Sequence, residues 1–163
     1  MNIYTFIIIT FVAVFGCVVH AEEEKKEQPL RIVKPDSIYA RLGGQESIDA
    51  AVDLFYKKIL ADDEVNHFFE NVNMKVQIRR QKEFLSSAFG GPKAWTGKDL
   101  KKAHANLDLD DRDFAAIAGH LNSTLKDLKV EPKLHKDIMT LVASTKDDVL
   151  NRPKKEKTSK KDQ

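Results

Sequence analysis

Residues 42–74 read LGGQESIDAAVDLFYKKILADDEVNHFFENVNM. Within them Ile48, Ala51, Val52, Phe55, Ile59 and Leu60 fall at i, i+3, i+4, i+7, i+11 and i+12, the spacing of one face of an α-helix. The spacing predicts a helix from about Glu46 to Leu60 with that face turned inward. Gly43-Gly44 separates it from a short helix near Ser37 to Leu42, and Asp62-Asp63 ends it. Val65, Phe68 and Phe69 then sit on a brief turn.

Outward from this stretch the helical period continues, and nothing alternates over more than a few residues. Asn73 is placed to cap a helix carrying Val76, Phe84, Leu85, Ala88 and Phe89, which Gly90-Gly91-Pro92 stops. PKAWTGK, residues 92–98, reads as a loop, and Leu100, Ala103, His104 and Leu107 suggest a turn or two of helix. Asp110 caps a long helix with Phe114, Ile117, Ala118, Leu121, Leu125 and Leu128 on one side, and Asp113 adds favourable negative charge in its first turn. Pro132 opens a last helix with Leu134, Ile138, Leu141, Val142 and Val149 inward. The fold class is all-α.

The whole chain has 163 residues, 27 Lys plus Arg against 25 Asp plus Glu, a net charge of +2 and a 42% hydrophobic share. That describes one globular domain with extra segments at its ends. The near balance of charge argues against electrostatic capture of nucleic acid by the whole protein, and the apolar share argues against wholesale disorder.

Residues 1–21 carry no Lys, Arg, Asp or Glu, and Ile7 to Val19 has the length of a secretory apolar region. At about 1.5 Å per residue it spans roughly 20 Å, short of a ~30 Å hydrocarbon core. Val19-His20-Ala21 offers small residues for signal peptidase, so cleavage after Ala21 and export are expected. The uncharged start also allows an uncleaved membrane anchor counted from Ile3, and Val14-Phe15-Gly16-Cys17 is loosely similar to a lipoprotein site. Cys17 is the only cysteine, so a chain starting at Glu22 contains none. Residues 22–34 read as a charged linker. RPKKEKTSKKDQ, residues 152–163, has six basic residues against two acidic ones, and reads as a disordered tail able to touch anionic surfaces weakly. The folded part is expected over residues 35–151.

Residues 90–110 contain three glycines and almost no periodic apolar face. In a domain of this size, which buries only about two thirds of its unfolded surface, such a segment suggests a ligand that completes the core. No nucleotide-binding, serine-hydrolase or zinc motif is present to name one. His104, in KDLKKAHANL, projects from an apolar stripe. A lone histidine of this kind is commonly a core residue, but a neutral imidazole against an apolar cavity is also how haem iron is held. Tyr56 brings a phenol, and Gln77 and Gln81, four apart, bring two amides to one helix face.

The run at 42–74, followed by Gln77, Gln81, AFGGPKAWTG, LKKAH and AGHL, resembles the group I truncated haemoglobins over about 117 residues. The resemblance implies a globin-like sandwich of two helix pairs, two over two, around non-covalent haem b. It implies His104 as the proximal iron ligand, Tyr56 after Phe55 as the distal tyrosine, and Phe69 as the phenylalanine packed on the porphyrin. Gln77 and Gln81 match the distal positions that contact bound ligand, while Phe84, Leu85, Leu100 and Ile117 match the pocket lining.

Some relatives close the distal side with a His or Lys where this chain has Arg80, a poor iron ligand because it stays protonated. Others attach haem covalently through a histidine where this chain has Thr145. Arg79 and Arg80 are candidates for pairing with a haem propionate or for simple solvation. His120 reads as structural, His67 as exposed, and Trp95 as either a haem-edge cover or a packing residue. The function implied is binding of O2, NO and CO, with oxidation of NO to nitrate if an unidentified reductase supplies electrons. The alternatives are O2 carriage, storage or ligand sensing without turnover, and a helical interaction domain without haem.

Overall fold

A computed structural model describes residues 29–153. The leader, most of the charged linker and the tail beyond residue 153 lie outside the described residues, and with them the signal-peptide, anchor and membrane-contact readings. No described helix is long and apolar enough to cross a membrane.

The described chain forms seven helices: α1 (Ile38–Leu42), α2 (Gly44–Ile59), α3 (Met74–Ala88), α4 (Leu100–His104), α5 (Asp111–Asp127), α6 (Pro132–Ser144) and α7 (Lys146–Val149), with a single 3-10 turn at Asn66–Phe69. Local chemistry starts each long helix after α2. Asn73 accepts a hydrogen bond from the Val76 amide, Asp110 and Asp113 form a reciprocal capping box, and Glu131, just before Pro132, accepts from the Lys133 and Leu134 amides. Gly43, at φ 105°, both ends α1 and opens α2, a conformation that favours glycine.

Helices α2 and α3 pack as one antiparallel pair and α5 and α6 as another, and α2 also packs on α5. Lys82 meets Asp53 at 2.9 Å across the first pair, and His135 meets Asn122 at 2.8 Å across the second. Between the pairs, Lys58 reaches Ser123 and Asp127, and His120 Nε2 meets Asp62 at 2.6 Å. His120 is therefore a structural tie, as read from the sequence, and His67 is exposed. The core is centred on α2: Ile48, Val52 and Ile59 are buried together with Val65, Leu125, Leu134 and Ile138. Each such side chain contributes about 1.5–3 kcal/mol.

Four sequence expectations change. The last helix is broken: α6 ends at Thr145, whose hydroxyl donates to the Val142 carbonyl at 2.7 Å, and α7 begins anew. Leu60, Leu107 and Leu128, placed on inward faces, are 42%, 37% and 39% exposed, because each lies at or just past a helix end, where the inward stripe runs out. Arg31, inside the segment read as a linker, donates to the Lys93 carbonyl at 2.8 Å, the Gly91 carbonyl at 3.2 Å and Ser87 Oγ at 3.1 Å. Arg152, the first residue read as tail, pairs with Asp111, which also holds Lys146 at 2.6 Å. The hydrogen bonds from Arg152 and then Lys146 hold the Asp111 carboxyl down to about 2, so this latch is lost only as pH falls through that value.

The Gly90-Gly91 stop docks α1 on α3. The Tyr39 amide donates to the Phe89 carbonyl at 2.8 Å, and the Gly91 amide to the Ser86 carbonyl at 2.7 Å. A Cβ on Gly91 would stand 2.6 Å from that carbonyl oxygen and 2.8 Å from the Tyr39 ring. Gly91→Ala should therefore cost about 1–3 kcal/mol of stability, read as an earlier midpoint in urea denaturation; an unchanged midpoint would show that this contact does not constrain the fold.

Candidate functional site

The candidate residues lie on the 3-10 turn and on α2, α3, α4 and α5. The period that buries Phe55 also buries Tyr56, at 9% and 3% exposure. The Phe55 and Phe69 rings meet Tyr56 edge-on, with centroids 5.5 and 5.7 Å away. Tyr56 thus has an apolar collar around its ring and one polar neighbour at its tip. Gln77 Nε2 donates to Tyr56 Oη at 3.0 Å. Because the amide uses an oxygen lone pair, the phenolic hydrogen stays free to be donated elsewhere. Burial pushes the phenol above its ordinary value, outweighing the Gln77 hydrogen bond, so at neutral pH the group is a protonated donor.

Gln81, one turn beyond Gln77 on α3, is half-buried. The structure brings Tyr56 and Gln77 together and leaves Gln81 beside them on the same helix face. Phe69, Leu85 and Ile117 pack against the core and remain half-buried. Phe84 and Leu100 are also half-buried, and the Phe84 ring meets Trp95 edge-on at 5.6 Å. Trp95 therefore has a packing role on α3. Arg80 is exposed, with no ion pair among the described residues, whereas Arg79 meets Glu83 at 3.7 Å.

His104 closes α4, a helix with no buried residue that packs on α7. Asp99 starts α4 by accepting from the Lys102 amide at 2.8 Å, and Lys101 Nζ reaches the Arg152 carbonyl at 3.1 Å. His104 Nδ1 lies 2.7 Å from the Leu100 carbonyl oxygen. A carbonyl can only accept, so Nδ1 carries the hydrogen and, in the neutral ring, the lone pair is on Nε2. That is the arrangement a metal-binding imidazole needs, with its second nitrogen fixing tautomer and ring orientation.

Among the described residues no three His, Cys, Asp or Glu side chains gather as a metal site. A single oriented imidazole, half-buried apolar side chains from four segments and a buried phenolic donor fit haem, which brings its own equatorial ligands and needs one axial nitrogen. The Leu100 carbonyl was not anticipated from the sequence, although a histidine four residues after it on one turn of helix is the available signal. The contributions of Arg31 and Arg152 left no local signal.

The Bacterial-like globin family matches residues 37–151. Group 1 truncated hemoglobin LI410 of Chlamydomonas moewusii is 47% identical over 124 residues, spanning 75% of this chain and 72% of that protein. The group 1 truncated hemoglobin of Tetrahymena pyriformis is 40% identical over 119 residues, 73% of this chain and 98% of that protein. Among solved structures, the 2/2 hemoglobin of Synechococcus sp. PCC 7002, with covalently attached heme, superposes with a TM-score of 0.68 at 43% identity, covering 71% of this chain and 99% of that one. The Tetrahymena pyriformis protein in its Fe(III) form gives 0.67 at 40% identity, over 70% and 97%. Three further Tetrahymena structures are single-site variants at a tyrosine, at a glutamine 21 residues later and at a second glutamine four beyond that. Those are the separations of Tyr56, Gln77 and Gln81.

Tyr56→Phe removes the acceptor of the Gln77 amide and nothing from the apolar collar. It should lower stability by about 0.5–1.5 kcal/mol in urea denaturation, and a loss beyond about 3 kcal/mol would mean that the hydroxyl is a structural pillar and not a donor held ready.

The helix order, the two-over-two packing and these matches agree: the chain belongs to the bacterial-like globins and, within them, to the group 1 truncated haemoglobins.

Proposed function

We propose that the chain holds haem through His104 Nε2, offers Tyr56, Gln77 and Gln81 to O2, NO or CO, and oxidises NO to nitrate when electrons are supplied. Haem b is the cofactor of this fold family, which binds small gaseous ligands such as O2. When bound, haem supplies an iron with an open position and a one-electron couple. The observation that carries the finer reading is the Gln77 to Tyr56 hydrogen bond, which leaves a buried phenolic proton available.

The residues divide the work. His104 is aimed by the Leu100 carbonyl, and α4 is positioned by its contacts with α7 and Arg152. Tyr56 donates to whichever ligand atom carries partial negative charge, and Gln77 keeps the phenol oriented for that donation. Gln81 adds an amide donor one turn along. Each hydrogen bond to a charged acceptor contributes about 1.5–3 kcal/mol, so two of them slow ligand release by roughly 10² or more. Slow release favours reaction of held O2 over rapid carriage. In that reaction NO and O2 take up one electron to give one nitrate.

Two further readings belong to this proposal. Haem attachment is non-covalent, since Thr145 at the end of α6 has its hydroxyl engaged with the Val142 carbonyl and offers no imidazole. The chain is exported by its apolar leader, so its electron donor works outside the cytosol.

Stopped-flow O2 dissociation tests the distal assignment. Tyr56→Phe should retain haem and release O2 about tenfold faster, the loss of one such bond; an unchanged rate would remove Tyr56 from the ligand's environment, and a fast rate already in the unsubstituted protein would favour carriage. Acid extraction into organic solvent should recover the haem, and haem retained by the polypeptide would overturn non-covalent attachment.

A further inference from the structure

Residues 93–102 read KAWTGKDLKK, four lysines against one aspartate. The aspartate is committed to its own helix: Asp99 caps α4 and meets Lys102 at 3.3 Å. Lys93, Lys98 and Lys102 are exposed, and Lys101 reaches Asp148 only at 3.9 Å. Among the described residues, neither Lys93, Lys98 nor Arg31 forms an ion pair. Arg31 adds its charge to the same loop by binding the Lys93 and Gly91 carbonyls. Acidic runs lie at 62–64 and 108–113, and Asp147 and Asp148 stand on α7, which packs on α4; none of these acids pairs with Lys93 or Lys98 among the described residues.

The segment is also held in place. Ser87 Oγ accepts from the Trp95 amide at 2.9 Å, and the Trp95 indole donates to the Lys98 carbonyl at 2.9 Å. The Trp95 ring lies over Gly97, where a Cβ would come within 2.0 Å of it, and meets Phe84 on α3. A fixed loop presenting unneutralised lysines is built to meet an acidic surface. The loop runs straight into α4: Lys98, Lys101 and Lys102 precede His104 by six residues or fewer, and Lys93 by eleven.

We propose that residues 93–102, with Arg31, dock an acidic one-electron carrier protein that reduces the haem. The step is balanced: the carrier loses one electron, ferric iron becomes ferrous, and no atom is transferred. A carrier protein fits better than a nucleic acid or a lipid surface because the chemistry proposed above consumes one electron per NO. This inference rests on the haem reading.

The test uses the haem-loaded chain, a reduced plant-type [2Fe–2S] ferredoxin as an acidic probe, and the double variant Lys93→Glu with Lys98→Glu. Both lysines are exposed, and the basic tail is the same in every sample. At low salt the variant should bind ferredoxin, by calorimetry, and accept its electron, by absorbance, at least about tenfold more weakly and slowly. The difference should vanish at about 0.5 M salt, where charges are screened within a few Å. Reduction by the cation hexaammineruthenium(II) should not slow in the variant. Three results would overturn the proposal: equal ferredoxin binding by the variant, an equal loss from Lys136→Glu on α6, or binding to anionic phosphatidylserine vesicles with none to ferredoxin. The spectrum taken before any partner is added separates this from the haem reading, since a failure there appears as the absence of histidine-bound haem.

Discussion

The burial of α2 is the constraint on which the site depends. Six of its residues are buried, and the turn that sends Phe55 into the core also places Tyr56 under the Phe55 and Phe69 rings. A tyrosine hydroxyl on a mobile surface would be a weak, solvated donor. Here it lies in low-dielectric surroundings with one amide neighbour, where a hydrogen bond to a charged ligand atom is worth more than in water. The antiparallel packing of α3 on α2 then decides which glutamine reaches that hydroxyl.

The imidazole side is organised differently. Helix α4 is one short turn with no buried residue, held by its Asp99 cap, by α7 and by the Arg152 carbonyl. Its position is tied to residues 146–152, through Arg152, Asp111 and Lys146. The donor side is fixed by apolar burial, and the histidine side by polar contacts at the surface. The second side is therefore the one more open to modulation by salt.

Much of this was legible from local pattern. Asn73, Asp110 and Pro132 mark helix starts by side-chain chemistry acting within three residues, and the 3.6-residue period of α2 identifies its buried face. The pair Gln77 and Gln81 was visible as one face of α3, but which of them meets the Tyr56 hydroxyl depends on how α3 crosses α2, which no local spacing encodes. The break at Thr145 escaped because Val149 still falls on the inward period. Arg31 and Arg152 escaped because their partners lie dozens of residues away, and a charged residue in a charged segment carries no sign of which carbonyl or carboxylate it will find.

The central claim is that His104 Nε2, aimed by the Leu100 carbonyl, is the axial ligand. The most direct measurement is the absorption spectrum of the ferrous haem-loaded protein beside His104→Gly, each with and without added imidazole. The account predicts a five-coordinate, histidine-bound spectrum in the unsubstituted protein, its loss in the variant and its return when imidazole enters the space the side chain left. A variant whose spectrum matches the unsubstituted protein without imidazole would contradict it, and would place the iron on another residue.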